Sequence, residues 1–262
     1  MPLEYFATYS AVANVALSPD GEYLAMRRLT ARDGNYIIEV RETDNLTGEP
    51  VRLGADRMGI LGISWVSPEY MLVNFLRSRS INSVLNPDFY RYNVETGRQQ
   101  RILRGSERFF NYELDREGNP RFASSLDTGT ETVSYFWRPD PDDTEWQEVM
   151  SWSLDDYDQY GQSGINVVGF DPDDSSRAYV LAHNGENTVG AHIMNLRTGE
   201  IVRTIYQRED VDMQGPRFEP HIDREPELAG FSFYADGERR YAWIDQEMAD
   251  LQAVVDNAFP DT

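Results

Sequence analysis

One phrase recurs along this chain and limits what it can fold into. A short apolar strand runs into a turn built from Pro, Asp and Gly, and a second strand leaves it. The clearest copy is NVALSPDGEYLAM at 14–26. Degraded copies follow as GISWVSPEYMLVNF from Gly62, YELDREGNPRFASS from Tyr112, VVGFDPDDSSRAYVLA from Val167 and GFSFYADGERRYAW from Gly230. The turns are roughly 45–65 residues apart, a period that signals propeller blades or a solenoid. Such arrays present loops and surfaces, and their function resides in sites grafted onto them.

Within a repeat the pattern continues. In the first, apolar residues alternate through Val15 and Leu17, and Pro19-Asp20-Gly21 turns the chain. A second strand starts at Tyr23 and a third holds Ile37, Ile38 and Val40, with a short outer strand after Asn45-Leu46-Thr47-Gly48. Four strands in about 40 residues make one WD40-like propeller blade. On this grammar the blades span 13–54, 60–104, 109–152 and 165–207. The turn before the outer strand recurs as NLTGE, VETGR and LRTGE. Its Gly is expected to supply the positive φ of a tight hairpin, and its Thr to bond nearby backbone. Three prolines and many charges make 211–227 read as a long loop. A lone hairpin at 228–245 is then the partial fifth unit. A helix follows at 245–259, capped by Asp245, with Met248, Leu251, Val255 and Ala258 at helical spacing. The predicted fold is therefore all-β and propeller-like, with four full units, a partial fifth and a C-terminal helix.

Composition narrows the partners. The chain has 262 residues, 40% of them hydrophobic and 12% aromatic, which suits a folded all-β globule. A net charge of −21 repels phosphate backbones and anionic bilayers, so neither nucleic acid nor membrane is an expected partner. There is no cysteine, which removes disulfides and thiolate metal sites. The opening MPLEYFATYS lacks the basic-then-apolar run of a signal peptide. The expected compartment is periplasmic if a signal has been removed, and otherwise cytoplasmic.

Two segments carry a family resemblance. VANVALSPDGEYLAMRR resembles the opening of the N-terminal propeller in bacterial prolyl oligopeptidase family serine peptidases. GFSFYADGERRYAWIDQEMADLQAVVDNAFP is similar to a hairpin-and-helix segment of a subgroup of that family. The resemblance implies a C-terminal α/β-hydrolase domain carrying a Ser-Asp-His triad, none of which lies in this chain. It implies that the propeller caps that domain and admits peptides but not folded proteins. The expected partners are the hydrolase domain of the parent protein and peptide substrates. The SPDG phrase is shared with periplasmic scaffolds of the TolB type, so an independent binding module is the alternative. A stand-alone propeller enzyme would need a ring of carboxylates or metal ligands at its axis, whereas the acids here fall in turns.

No catalytic, cofactor-binding or metal-ligating residue is assigned from the sequence, and no cofactor is expected. Gly161-Gln162-Ser163-Gly164-Ile165 approaches a nucleophile elbow, but Ile165 stands where the second Gly belongs. The acid groups Asp140/Asp142/Asp143, Asp155/Asp156/Asp158 and Asp171/Asp173/Asp174 lack calcium-loop spacing and read as Asx turns. His183 and His192 could face one another but have no third zinc ligand at a recognisable spacing, and His221 sits in the proline-rich stretch. Glu145 and the Asp155-Asp156 pair could counter a peptide's amino terminus but match no transferable motif. Trp65, Trp137, Trp146, Trp152 and Trp243 read as blade-packing residues.

Overall fold

The Pro-Asp-Gly turn shows why the strands double back. Gly21 adopts φ +79°, open to a residue without a Cβ, and its N–H donates to Ser18 O at 2.9 Å. The Ser18 hydroxyl donates to Asp20 Oδ1 and accepts from the Tyr23 N–H at 2.9 Å, so the turn is cross-linked by its own side chains. In the last copy Asp236 and Gly237 both have positive φ, at 58° and 83°, and separate the paired residues Ala235 and Glu238. That is the two-residue turn whose twist matches a hairpin.

The computed structural model describes residues 10–31, 34–54, 59–77, 86–106, 108–155, 164–219 and 227–259. The described strands form five antiparallel meanders. The first comprises β1 (Val12–Leu17), β2 (Tyr23–Leu29), β3 (Tyr36–Glu42) and β4 (Val51–Leu53); the second comprises β5 (Gly59–Trp65), β6 (Tyr70–Leu76), β7 (Asp88–Asn93) and β8 (Gln99–Leu103). The third runs β9 (Asn111–Leu114), β10 (Pro120–Asp127), β11 (Thr132–Trp137) and β12 (Gln147–Ser153). The fourth runs β13 (Ile165–Phe170), β14 (Arg177–Ala182), β15 (Gly190–Asn195) and β16 (Glu200–Tyr206). The fifth has three strands, β17 (Met213–Glu219), β18 (Glu227–Ala235) and β19 (Glu238–Trp243), and α1 (Gln246–Ala258) follows. In every sheet the strands lie in chain order, as in propeller blades. The fold class is all-β and propeller-like.

Strand β17 corrects the loop expected at 211–227 over Met213–Glu219, while 220–226 lie outside the described residues. Pro216 sits inside β17, paired with Phe231 of β18. A proline cannot donate to a ladder on its outer side, and β17 is an edge strand, where that loss costs little. The Thr-Gly turns also divide. Gly97 and Gly199 have φ +69° and +71°, and their N–H groups donate to Asn93 O and Asn195 O at 3.0 and 2.8 Å. Thr96 and Thr198 each accept from the backbone two residues on, both at 3.4 Å. Gly48 has no positive φ: here the chain forms a 3-10 turn over Thr43–Asn45, and a Cβ on Gly48 would stand 2.5 Å from the Asn45 side chain.

These turns make a graded prediction. Gly97→Ala meets nothing closer than 3.8 Å, so it should cost only the left-handed backbone penalty of about 1–2 kcal/mol. Gly199→Ala carries the same penalty and also drives a methyl to 2.8 Å from Val149 O. Urea midpoints should place Gly199→Ala clearly below Gly97→Ala, and equal midpoints would refute the close approach.

The chain divides into two compact units, Met1–Pro120 and Arg121–Thr262. In the first unit, Ala25, Ile38 and Val40 of the first sheet pack on Ile63, Met71 and Val73 of the second. The Trp65 indole crosses over and donates to Ala16 O at 3.1 Å. In the second unit, Phe122, Tyr135 and Trp137 pack on Val167, Val180 and Met194, and a further cluster joins Leu181 and Ala191 to Phe231 and Phe233. Helix α1 is capped as its sequence indicates, with Asp245 Oδ1 accepting from Met248 N at 2.9 Å. None of its residues is buried, and Leu251 and Val254 are 54% and 65% exposed. No described helix is long and apolar enough to cross a membrane.

Candidate functional site

Of the carboxylates singled out in the sequence, Asp140, Asp171 and Asp174 close turns, and Asp155 is exposed with its N–H donating to Ser153 Oγ at 3.2 Å. Asp140 Oδ1 accepts from Asp142 N at 2.9 Å and Asp171 Oδ1 from Asp173 N at 3.0 Å. Asp174 Oδ1 accepts from both the backbone and the hydroxyl of Ser176, which holds its carboxyl below the usual carboxylate range. These are Asx-type bonds within the loop. Among the described residues no three His, Asp or Glu side chains converge as a metal site would require. Glu145 is exposed. Ser163, Asp156, Asp158 and His221 lie outside the described residues.

Of the two described histidines, His192 is the more buried. It is 0% exposed on β15, with Nδ1 3.0 Å from the Thr204 hydroxyl and Nε2 3.0 Å from Ala182 O. A carbonyl can only accept, so Nε2 carries the proton and Nδ1 accepts from Thr204. Both ring nitrogens are thereby spent, and neither offers a lone pair to a metal. A hydroxyl beside an imidazole is also the beginning of a nucleophile–base pair. His192 itself is fully enclosed while Thr204 is exposed on β16, so the imidazole belongs to the core and the hydroxyl stands at its surface.

Three further groups of polar residues were not apparent in the sequence. On the first sheet, buried Glu39 meets Arg28, Arg41 and Arg52. On the second, buried Asp88 pairs with Arg77 at 3.2 Å and accepts from Gly105 N at 2.9 Å, which ties the end of that sheet together. On β9, burial pushes the Glu113 carboxyl upward, opposed by a hydrogen bond from Asn111 at 2.9 Å. A shallow cavity of ≈ 100 Å³ lies between Tyr23, Val40, Glu42 and Val94. Their only sequence signal is a charged residue interrupting the apolar alternation of a strand, as Glu39 does between Ile38 and Val40. The indoles do pack: Trp137 is 1% exposed, Trp152 lies 4.6 Å from the Tyr135 ring, and Trp243 stacks on Tyr241 at 5.0 Å.

No family model matches the chain, and no curated protein matches it. Solved structures do. A structure from a mechanistic study of two prolyl endopeptidases aligns with a TM-score of 0.56 at 15% identity, over 90% of this chain and 34% of that one. An oligogalacturonate lyase solved with manganese aligns with a TM-score of 0.55 at 11% identity, over 92% of this chain and 64% of the lyase. The chain thus spans about a third of the length of the prolyl endopeptidase. At these identities the likeness establishes the fold: the described sheets are those of a propeller module.

Proposed function

We propose that this chain is the non-catalytic propeller portion of a prolyl oligopeptidase-like serine peptidase, where it docks on a hydrolase domain and gates the entry of peptides. The observation that carries the reading is the fold likeness to a prolyl endopeptidase over 90% of the chain. The exposed apolar side of α1 is consistent with it. Leu251, Val254 and Val255 form a stripe that buries nothing within the described residues and suits a surface that packs on a further part of a longer protein.

The test uses the intact gene product. A fluorophosphonate probe should label a serine outside residues 1–262, and the protein should cleave a short proline-containing peptide while leaving a folded protein intact. A gene product without a hydrolase domain, or a labelled serine within 1–262, would overturn the reading. A comparable TM-score to an oligogalacturonate lyase makes the likeness one of fold alone, and an independent binding propeller is the alternative reading. That alternative predicts no labelled serine at all.

A further inference from the structure

The first sheet buries one negative charge beneath three positive ones. Glu39 is 2% exposed in the middle of β3, opposite Arg52 on β4 and Met26 on β2. Arg52 Nε donates to Oε1 at 3.1 Å, Arg28 Nη1 to Oε2 at 3.0 Å and Arg41 Nη2 to Oε2 at 3.4 Å. Arg41 has its other nitrogen committed as well, with Nη1 donating to Leu46 O and Gly48 O at 2.8 and 2.7 Å. Arg28 and Arg52 are different. Their side chains are 50% and 52% exposed, and each uses a single nitrogen on Glu39. No other described acid pairs with either of them. The unused N–H groups of two guanidinium forks therefore flank the same buried carboxylate.

A buried glutamate needs compensation, but this arrangement exceeds it. Three guanidiniums against one carboxylate leave these four side chains at +2; Glu42 and Glu49 share a pocket with Arg41, whereas Arg28 and Arg52 have no acid partner besides Glu39 among the described residues. Guanidinium forks match carboxylate oxygens in pairs. The face around them is partly apolar. Val12 is opposite Arg28 on β1, and Leu17 is opposite Leu24; both are about half exposed, at 44% and 56%.

We propose that Arg28 and Arg52, held in place by Glu39, form a receptor for a carboxylate ligand, either a free polycarboxylate or the side chains of an acidic peptide. Glu39 is a positioning residue here. It orients both forks.

Calorimetric titration at about 0.15 M salt with citrate, and separately with a glutamate-rich hexapeptide, tests the proposal. Saturable binding of at least one probe is expected, with none for the matching glutamine hexapeptide. Citrate alone binding identifies a free metabolite as the source, and the peptide alone identifies a partner segment. Arg28→Lys with Arg52→Lys should weaken binding by about tenfold or more while circular dichroism stays unchanged, because lysine keeps a positive charge beside buried Glu39 but loses the fork. Glu39→Gln, where folded, should bind more weakly, since an amide nitrogen cannot accept from the arginines and the forks lose their orientation. Failure of both probes to bind, equal affinity in the double arginine variant, or undiminished binding by folded Glu39→Gln would each overturn the proposal. None of these outcomes depends on whether a hydrolase domain exists.

Discussion

Trp137→Ala is expected to destabilise the unit at 121–262 by about 3–5 kcal/mol, the range for truncating a large buried aromatic. Whole domains hold only about 5–15 kcal/mol, so this one change should remove a large part of the margin. Trp137 is 1% exposed on β11, paired with Phe122 on β10, in the cluster that joins the third and fourth sheets through Val167, Val180 and Met194. From the Thr-Gly turn, Arg197 lays its guanidinium 5.4 Å from the indole centroid and closes the site. Trp137→Phe separates packing from polarity. The indole Nε1 is buried without a hydrogen-bond partner, so phenylalanine removes a donor that costs free energy where it stands. It should therefore destabilise by well under half as much as alanine. Urea unfolding followed by far-ultraviolet circular dichroism measures both. An alanine variant within about 1 kcal/mol of the wild type would show that the two sheets are not joined through this side chain.

How far the sequence reveals this structure depends on whether a feature is local. The hairpins are legible because their determinants lie within five residues. Ser18, Asp20 and Gly21 build their own turn, and Asp236-Gly237 sets a two-residue loop. Helix α1 is legible through Asp245 and its spacing. Strand β17 is not, because Pro216 and the surrounding charges argue for a loop, and only the neighbouring edge of β18 makes a proline acceptable there. The Thr-Gly repeats look equivalent in sequence, yet Gly48 departs from the others because Thr43–Asn45 takes a 3-10 turn first. Polar clusters are hidden for a further reason. Arg28, Glu39 and Arg52 come from three strands and meet only through register. Asp140 and Asp171 could have been ligands or turn caps on sequence alone, and their bonds to the backbone two residues on make them caps.

Acid should destabilise the second unit in a window that its carboxylates do not explain, and His192 is the cause. Burial depresses the pKa of this imidazole, opposed by the hydrogen bond to Ala182 O. Protonating Nδ1 would charge an imidazole that is 0% exposed and oblige the Thr204 hydroxyl to turn from donor to acceptor. The unfolded chain therefore takes up the proton first, at a pKa near 6.5. Above about pH 7 the group leaves stability unchanged. As the pH falls through about 6.5, the unfolding free energy should drop by up to about 1.4 kcal/mol per pH unit, until the folded form also protonates. Carboxylates act lower. In the first unit, burial is outweighed by hydrogen bonds and charge from Arg28, Arg52 and Arg41, which hold Glu39 below its ordinary value, so its contribution to that unit is present above about pH 4.5 and lost beneath it. The two windows can be separated by substitution. In His192→Gln the loss that begins near pH 6.5 should vanish, because the buried imidazole is gone, while the carboxylate loss below about pH 4.5 persists. Gly190 offers an independent check. A Cβ there would stand 2.8 Å from His192 Nε2, so Gly190→Ala should disturb the bond to Ala182 and alter the same acid window. Urea midpoints at pH 8, 7, 6 and 5 measure the effect. An unchanged slope between wild type and His192→Gln would mean that the buried imidazole titrates no differently from one in the unfolded chain.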